Sequence, residues 1–233
     1  MPHSKQTLQS TELYHQNLVL RELARKGFSD FIARLETSRL SPRFTISRAR
    51  GEVKFTYFPL SGMISVMGLL GKKTVELGVI GAEGITGTAA FFGGNRLPFE
   101  SYVQVPGQAL RVDHQEFRAE LETDRSFREA MLPFVHNYIF QMTECATANA
   151  CCSIKQRLTR KILMTQDRLK SDVLPLTHEI LAASLAVRRP SISLVLAQLE
   201  KEGSLATERG RLRVVDREQL VAIAGSVYTP VVL

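Results

Sequence analysis

A change of hydrophobic period at Asp113 constrains this chain more than any other feature. Upstream, from about Arg43 to Val112, runs such as KFTYFP, MISVMGLL, TVELGVI, SYVQVP and ALRVD alternate or carry β-branched residues. Glycine or proline interrupts them roughly every eight to twelve residues, the punctuation of short strands in a sandwich or roll. Downstream, Phe127, Met131, Phe134, Tyr138, Met142, Cys145 and Asn149 recur at helical spacing and make one long apolar stripe. The two periods occupy separate segments, so the expected class is α+β. LVLRELARKGFSDFIARLE, within the first forty residues, also carries helical spacing.

The long stripe can pack on the roll, on a second copy of the chain, or on both. Pro133 is expected near the start of its helix or at a kink, because it would break a hydrogen bond deeper inside. A second helix, SIKQRLTRKILMTQDRLK, turns Ile154, Leu158, Ile162, Leu163 and Leu169 inward and sets a basic face opposite. SDVLP ends it, and a domain boundary falls near 150–153.

Composition narrows the class. With 233 residues, 44% hydrophobic and 23% charged, the chain can bury one large core or two modest ones and does not read as disordered. No apolar run approaches the roughly 18 residues of a membrane span. MPHSKQTLQSTELYHQN lacks the apolar core of a secretory signal, and Cys145, Cys151 and Cys152 form no disulfide framework. A cytoplasmic protein is expected. Residues 153–233 carry 13 Lys+Arg against 8 Asp+Glu, a net of +5, while the longer remainder carries 17 against 15, a net of +2. A basic excess at one end fits a module that faces a polyanion.

That module has a recognisable grammar. In LTHEILAASLAVRRPSISLVLAQLEKEG, Thr177 is placed to cap a short helix with Leu181, Leu185 and Val187 inward. Pro190 is expected as the first residue of the next helix, whose buried stripe is Ile192, Val195, Leu196 and Leu199 and whose end is marked by Gly203. Arg188, Arg189, Ser191 and Ser193 then cluster at its N-terminus, the layout of a helix-turn-helix. GSLATERGRLRVVD follows as a small hairpin with Arg209 at its tip and Arg211 and Arg213 alongside, a wing suited to a phosphate backbone. Asp216 is placed to cap a last helix, REQLVAIA.

With these motifs in order, the chain resembles the Crp/Fnr family of bacterial transcription regulators. The segments that carry the resemblance are TYFPLSGMISVM, ELGVIGAEGITGTAAFFGG, VQVPGQALRV, IKQRLTRKILMTQDRL and the helix-turn-helix text, from about residue 18 onward. The resemblance implies a cyclic-nucleotide-binding-like, jelly-roll-like β-roll sensor domain over 1–125, a dimerisation helix over 126–152 and a winged helix-turn-helix DNA-binding domain over 153–233. It also implies a homodimer on a pseudo-palindromic site, with double-stranded DNA and RNA polymerase as partners, a small-molecule effector of unspecified identity and no membrane. The DNA-binding residues it points to are Thr177, Arg188, Arg189, Ser191, Ser193, Arg209 and Arg211; the dimerisation residues are Phe134, Tyr138, Met142 and Cys145; the effector pocket takes in Glu83, Gly84, Arg96, Glu100 and Ser101.

The sequence departs from the better-known members. Where cyclic-nucleotide binders place an arginine and a small hydroxyl residue, this chain has Glu100 and Ser101. A carboxylate there repels a cyclic phosphate, so cyclic AMP is not the expected ligand. No cysteine precedes residue 145, which argues against a family-type iron–sulfur cluster. Haem stays open, since His3, His15, His114, His136 and His178 offer ligands, although no spacing favours a haem or zinc site. In the recognition helix, Arg189, Pro190 and Leu194 stand where G·C-reading members offer arginine, glutamate and arginine. Arg189 keeps a potential guanine contact, while Leu194 offers apolar contact alone, for instance to a thymine methyl.

The expected function is sequence-specific DNA binding in transcription regulation. The alternative is a ligand-binding regulator whose winged helix contacts protein, which predicts little affinity for duplex DNA. No nucleophile–base constellation, GxxxxGK[ST] phosphate loop or metal-ligand cluster points to an enzyme.

Overall fold

The computed structural model describes residues 13–71 and 73–230. They form two compact units, one comprising the described residues up to Val66 with Gly78–Phe140, the other Met67–Leu77 with the described residues from Gln141 onward.

The first unit opens with α1 (Leu18–Arg25) and α2 (Ser29–Ala33). Asn17 starts α1: its Oδ1 accepts from the N–H of Val19 (3.0 Å) and of Leu20 (3.1 Å). Its Nδ2 donates to the carbonyls of Pro59 and Gly84, both at 2.9 Å, so one buried amide caps the helix and staples it to the roll. The strands β1 (Glu36–Leu40), β2 (Thr45–Ser47), β3 (Phe55–Pro59), β4 (Met63–Leu70), β5 (Lys73–Ile80), β6 (Glu100–Val105) and β7 (Gly107–Asp113) follow, with the Met67–Leu77 part of the β4–β5 hairpin belonging to the second unit. They make two sheets, ordered β1-β7-β3 and β2-β6-β4-β5. Met63, Ile64, Ser65, Val66 and Met67 are all buried. This is why MISVMGLL reads as a continuous apolar run: β4 lies between β6 and β5 and is covered on both faces.

Asp113 ends β7 and caps α3 (His114–Thr123), with its Oδ1 accepting from Gln115 N–H at 2.8 Å. The period change in the sequence is therefore a strand-to-helix junction. After Asp124, α4 (Arg125–Cys151) runs 27 residues, about 40 Å of helix. Pro133 lies well inside α4, which rules out the helix start among the two expected places. Its ring is exposed, and the cost is the missing N–H bond to the preceding turn. Phe31, Phe58, Phe117 and Phe127 pack at the centre of the core, edge to face except for the tilted Phe31–Phe117 pair, with centroids 4.8–6.3 Å apart.

The second unit contains α5 (Ile154–Leu169), started by a capping box between Ser153 and Gln156. Then come β8 (Val173–Leu174), α6 (His178–Leu185), α7 (Arg189–Lys201), β9 (Leu205–Glu208), β10 (Arg211–Val214) and α8 (Arg217–Ala224). SDVLP is not merely a helix stop: β8 pairs antiparallel with β10 and completes a sheet ordered β8-β10-β9.

The basic face of α5 is not solvated, which corrects the amphipathic reading. Arg160, Lys161 and Arg168 are buried along with Leu158, Ile162 and Leu163. Lys161 Nζ donates to both carboxylate oxygens of Glu76 at 2.6 and 2.7 Å, and Ser184 Oγ donates to the same carboxylate at 3.3 Å. Arg160 donates to Cys145 Sγ (3.1 Å), Glu144 (3.3 Å) and the Val227 carbonyl (2.7 Å). Buried cations are tolerated when each donor is matched, and the match for Lys161 comes from the β4–β5 hairpin, 85 residues upstream.

Candidate nucleic-acid interface

Thr177 caps α6 as expected, its hydroxyl accepting from Ile180 N–H at 3.2 Å. The chain turns by 113° between α6 and α7, the angle of a helix-turn-helix. Ala186 takes the left-handed conformation (φ +54°) that makes the turn, a position usually given to glycine. Arg157 fixes the end of α6 by donating to the Leu185 carbonyl. α7 begins at Arg189, one residue earlier than expected, with Pro190 second. A first-turn N–H has no intrahelical partner to lose, so either position suits proline. Gly203 (φ +79°) follows the helix, as the sequence indicates.

Ile192, Leu196 and Leu199 are buried and fix the rotation of α7. Arg188 and Arg189 project at its exposed N-terminus and carry no ion pair among the described residues. Ser193 is engaged within the motif, its Oγ 2.8 Å from His178 Nδ1 and 3.2 Å from the Arg189 carbonyl. Ser191 is half-buried. His178 thus ties α6 to α7, a role with no signature in the sequence.

The wing forms as expected, β9 and β10 pairing across Arg209-Gly210, with Gly210 at φ +77°. Arg211 and Arg213 both bond Glu208, at 2.6 Å in each case, which partly neutralises them; Arg209 is exposed and carries no ion pair among the described residues. Between wing and recognition helix lies a groove of about 310 Å³ whose rim includes Thr177, His178, Arg189, Glu208, Gly210 and Arg211. Five of the seven residues expected at DNA, Thr177, Arg188, Arg189, Arg209 and Arg211, therefore lie on or beside one exposed rim.

The expected effector residues line neither the groove beside the wing nor the larger cavity of the first unit. Ser101 is buried and its hydroxyl lies 2.8 Å from Ser47 Oγ. Arg96 is exposed and pairs through its backbone with Glu52. Glu100 begins β6 half-buried, and Glu83 accepts from Gly81 N–H at 3.1 Å. Gly84 has a packing reason: a Cβ there would lie 2.5 Å from the Phe134 ring. A cavity of about 970 Å³ bounded by Leu13, Arg39, Ser61 and Gln108 includes none of these five residues.

Of the expected dimer residues two are buried within the chain, while Phe134 and Met142 are half-buried. Tyr138 and Cys145 are only 5% and 7% exposed, and Phe134 stacks on Tyr138 at 5.8 Å. The exposed apolar side chains of α4 are instead Leu132, Ile139 and Phe140, with His136 beside Phe140. Burial pushes the Cys145 thiol above its ordinary range, the neighbouring Arg160 opposing the shift.

Among the described residues no group of three or more His, Cys, Asp or Glu side chains could hold a metal ion. His114 is buried, with Nδ1 3.1 Å from Thr56 Oγ1 and Nε2 3.3 Å from the Gly94 carbonyl. His3 lies outside the described residues. No single described helix is long and apolar enough to cross a membrane.

The sequence comparison agrees with the motif just built: residues 156–223 match the Crp-like helix-turn-helix domain. That segment is a Crp-like helix-turn-helix domain. No protein of curated function matches the chain. Among solved structures, a CRP-family transcriptional regulator from Thermus thermophilus superposes with a TM-score of 0.71 at 20% identity, covering 83% of this chain and 100% of its own. FixK2 from Bradyrhizobium japonicum gives 0.71 at 12%, covering 82% and 98%. The c-di-GMP-responsive regulator CLP from Xanthomonas campestris gives 0.67 at 15%, also covering 82% and 98%. The fold is that of the Crp/Fnr transcription regulators.

Proposed function

We propose that this chain is a sequence-specific DNA-binding transcription regulator that acts as a homodimer on a pseudo-palindromic site. The observation that carries the reading is the pair Arg188 and Arg189, exposed and without an ion pair among the described residues at the start of α7, with Arg189 on the groove beside the basic wing. Arginine at the N-terminus of a helix that can enter the major groove reads guanine O6 and N7, while the wing lies on phosphate. The exposed apolar side chains Leu132, Ile139 and Phe140 support self-association through α4, since they stay uncovered within the chain. Cyclic AMP is not the effector this reading expects: Glu100 stands where the resemblance calls for an arginine, and the Ser101 hydroxyl is engaged with Ser47.

The test is selection of duplexes from a random pool by the purified protein. Enrichment of a palindrome with half-sites about one helical turn apart, bound with a steep salt dependence, is the expected result. Salt-independent binding with no enriched sequence would favour a winged helix that contacts protein.

A further inference from the structure

The recognition helix carries a feature that phosphate and guanine contacts leave unused. Ile192, Leu196 and Leu199 turn inward, and the opposite face presents Pro190, Leu194 and Ala197 at spacings of four and three. Leu194 is 75% exposed, whereas the other two leucines of α7 are at 0–1%. Nothing among the described residues covers it. An exposed leucine on this face has a desolvation incentive, and the exposed arginines beside it say what comes near: Arg188, Arg189 and Arg209 favour a polyanion and oppose a basic or bare apolar partner.

We infer that Pro190, Leu194 and Ala197 form an apolar reading stripe that selects 5-methylpyrimidines, thymine above all, in the major groove about two base pairs from the base read by Arg189. The inference rests on the DNA-binding reading above and adds the identity of the bases. The methyl of thymine is the one apolar group on the major-groove edge of the four bases. Pro190 has no N–H and no polar side chain, so it asks nothing of a base edge. Leu194 is five residues beyond Arg189, about 7.5 Å along the helix axis, which places it roughly two base-pair steps away. A cytosine there would lose the methyl contact and turn its N4 donor toward a leucine that accepts nothing.

The experiment uses the full chain and the duplex recovered from the random pool. Each thymine of a half-site is replaced in turn by deoxyuridine, which removes the methyl and nothing else. At one or two positions the wild type is expected to bind roughly three- to tenfold more weakly. Leu194→Ala is expected to bind the thymine and deoxyuridine duplexes alike at those positions. Cytosine in place of that thymine should weaken binding, and 5-methylcytosine should recover part of the loss. A flat deoxyuridine scan on a duplex that is bound with a steep salt dependence overturns the stripe and leaves the DNA reading intact. A deoxyuridine penalty that persists in Leu194→Ala overturns it as well, by assigning the methyl to another residue. Salt-independent association with no enriched duplex overturns both readings together. Leu194 is exposed, so its truncation does not threaten the fold; thermal unfolding of the variant at the wild-type temperature verifies this.

Discussion

At the scale of single residues, the buried Lys161–Glu76 pair makes the sharpest statement about stability. Burial pulls the Lys161 pKa down and the Glu76 carboxylate opposes the shift, so each charge is held by the other. Lys161→Met leaves Glu76 buried without its cation, and Glu76→Gln does the converse. Each is expected to cost about 3–5 kcal/mol in urea unfolding, while the double replacement by apolar residues costs much less. His114 gives the pH dependence. Burial lowers its pKa from the ordinary 6.5, the Gly94 carbonyl and Asp113 oppose that shift, and Arg118 adds to it. The unfolded chain therefore takes up the proton first, and stability falls as pH drops through about 6.5 toward the lowered folded value. Above that window His114 adds no slope. His114→Gln is expected to remove this slope from a series of denaturation midpoints between about pH 5 and 7. Ala186, held at φ +54°, is strained for an L residue; Ala186→Gly should stabilise the chain by about 1 kcal/mol, read as a higher midpoint.

At the scale of elements, the proposed function divides the work between the helix-turn-helix and its wing. Arg189 sits at the groove-facing start of α7, and Arg209 sits at the exposed wing tip. Arg189→Ala is expected to relax preference at one base position of each half-site, by about 1–3 kcal/mol of discrimination. Arg209→Ala should weaken all duplexes alike and reduce the salt slope by about one. Equal, sequence-independent losses in a titration of both variants would show that α7 does not read bases. Arg211 was legible as a wing arginine, but its bond to Glu208 was not, because hairpin register decides which residues face each other across β9 and β10. Caps were easier. Thr177, Ser153 and Asp216 each bond an N–H group three residues away, so the sequence neighbourhood contains both partners.

At the scale of the whole molecule, the faces of α4 differ in which apolar side chains they leave exposed, and the proposed dimer would use those. Ile139 and Phe140 are 53% and 58% exposed, and the adjacent Tyr138 is buried. Ile139→Asp combined with Phe140→Asp is expected to yield monomers in sedimentation equilibrium and to weaken binding to a palindromic duplex. Tyr138→Ala should instead lower stability by about 3 kcal/mol through a core cavity. A dimer mass that survives the double charge substitution would move the interface elsewhere.

The sequence by itself determined the order of the architecture: a roll punctuated by glycines, a long helix after Asp113, and a winged helix-turn-helix with arginines at the start of its second helix. Those features rest on local period, caps and turns, whose energetics involve residues a few positions apart. Only the tertiary structure decided that the basic face of α5 is buried against Glu76, that Asn17 staples α1 to the roll, and that Tyr138 and Cys145 face inward while Ile139 and Phe140 do not. Each of these depends on a partner tens of residues away or on the rotation of a helix about its axis. An apolar stripe records that a helix has something to pack against; the packing itself chooses between two adjacent faces.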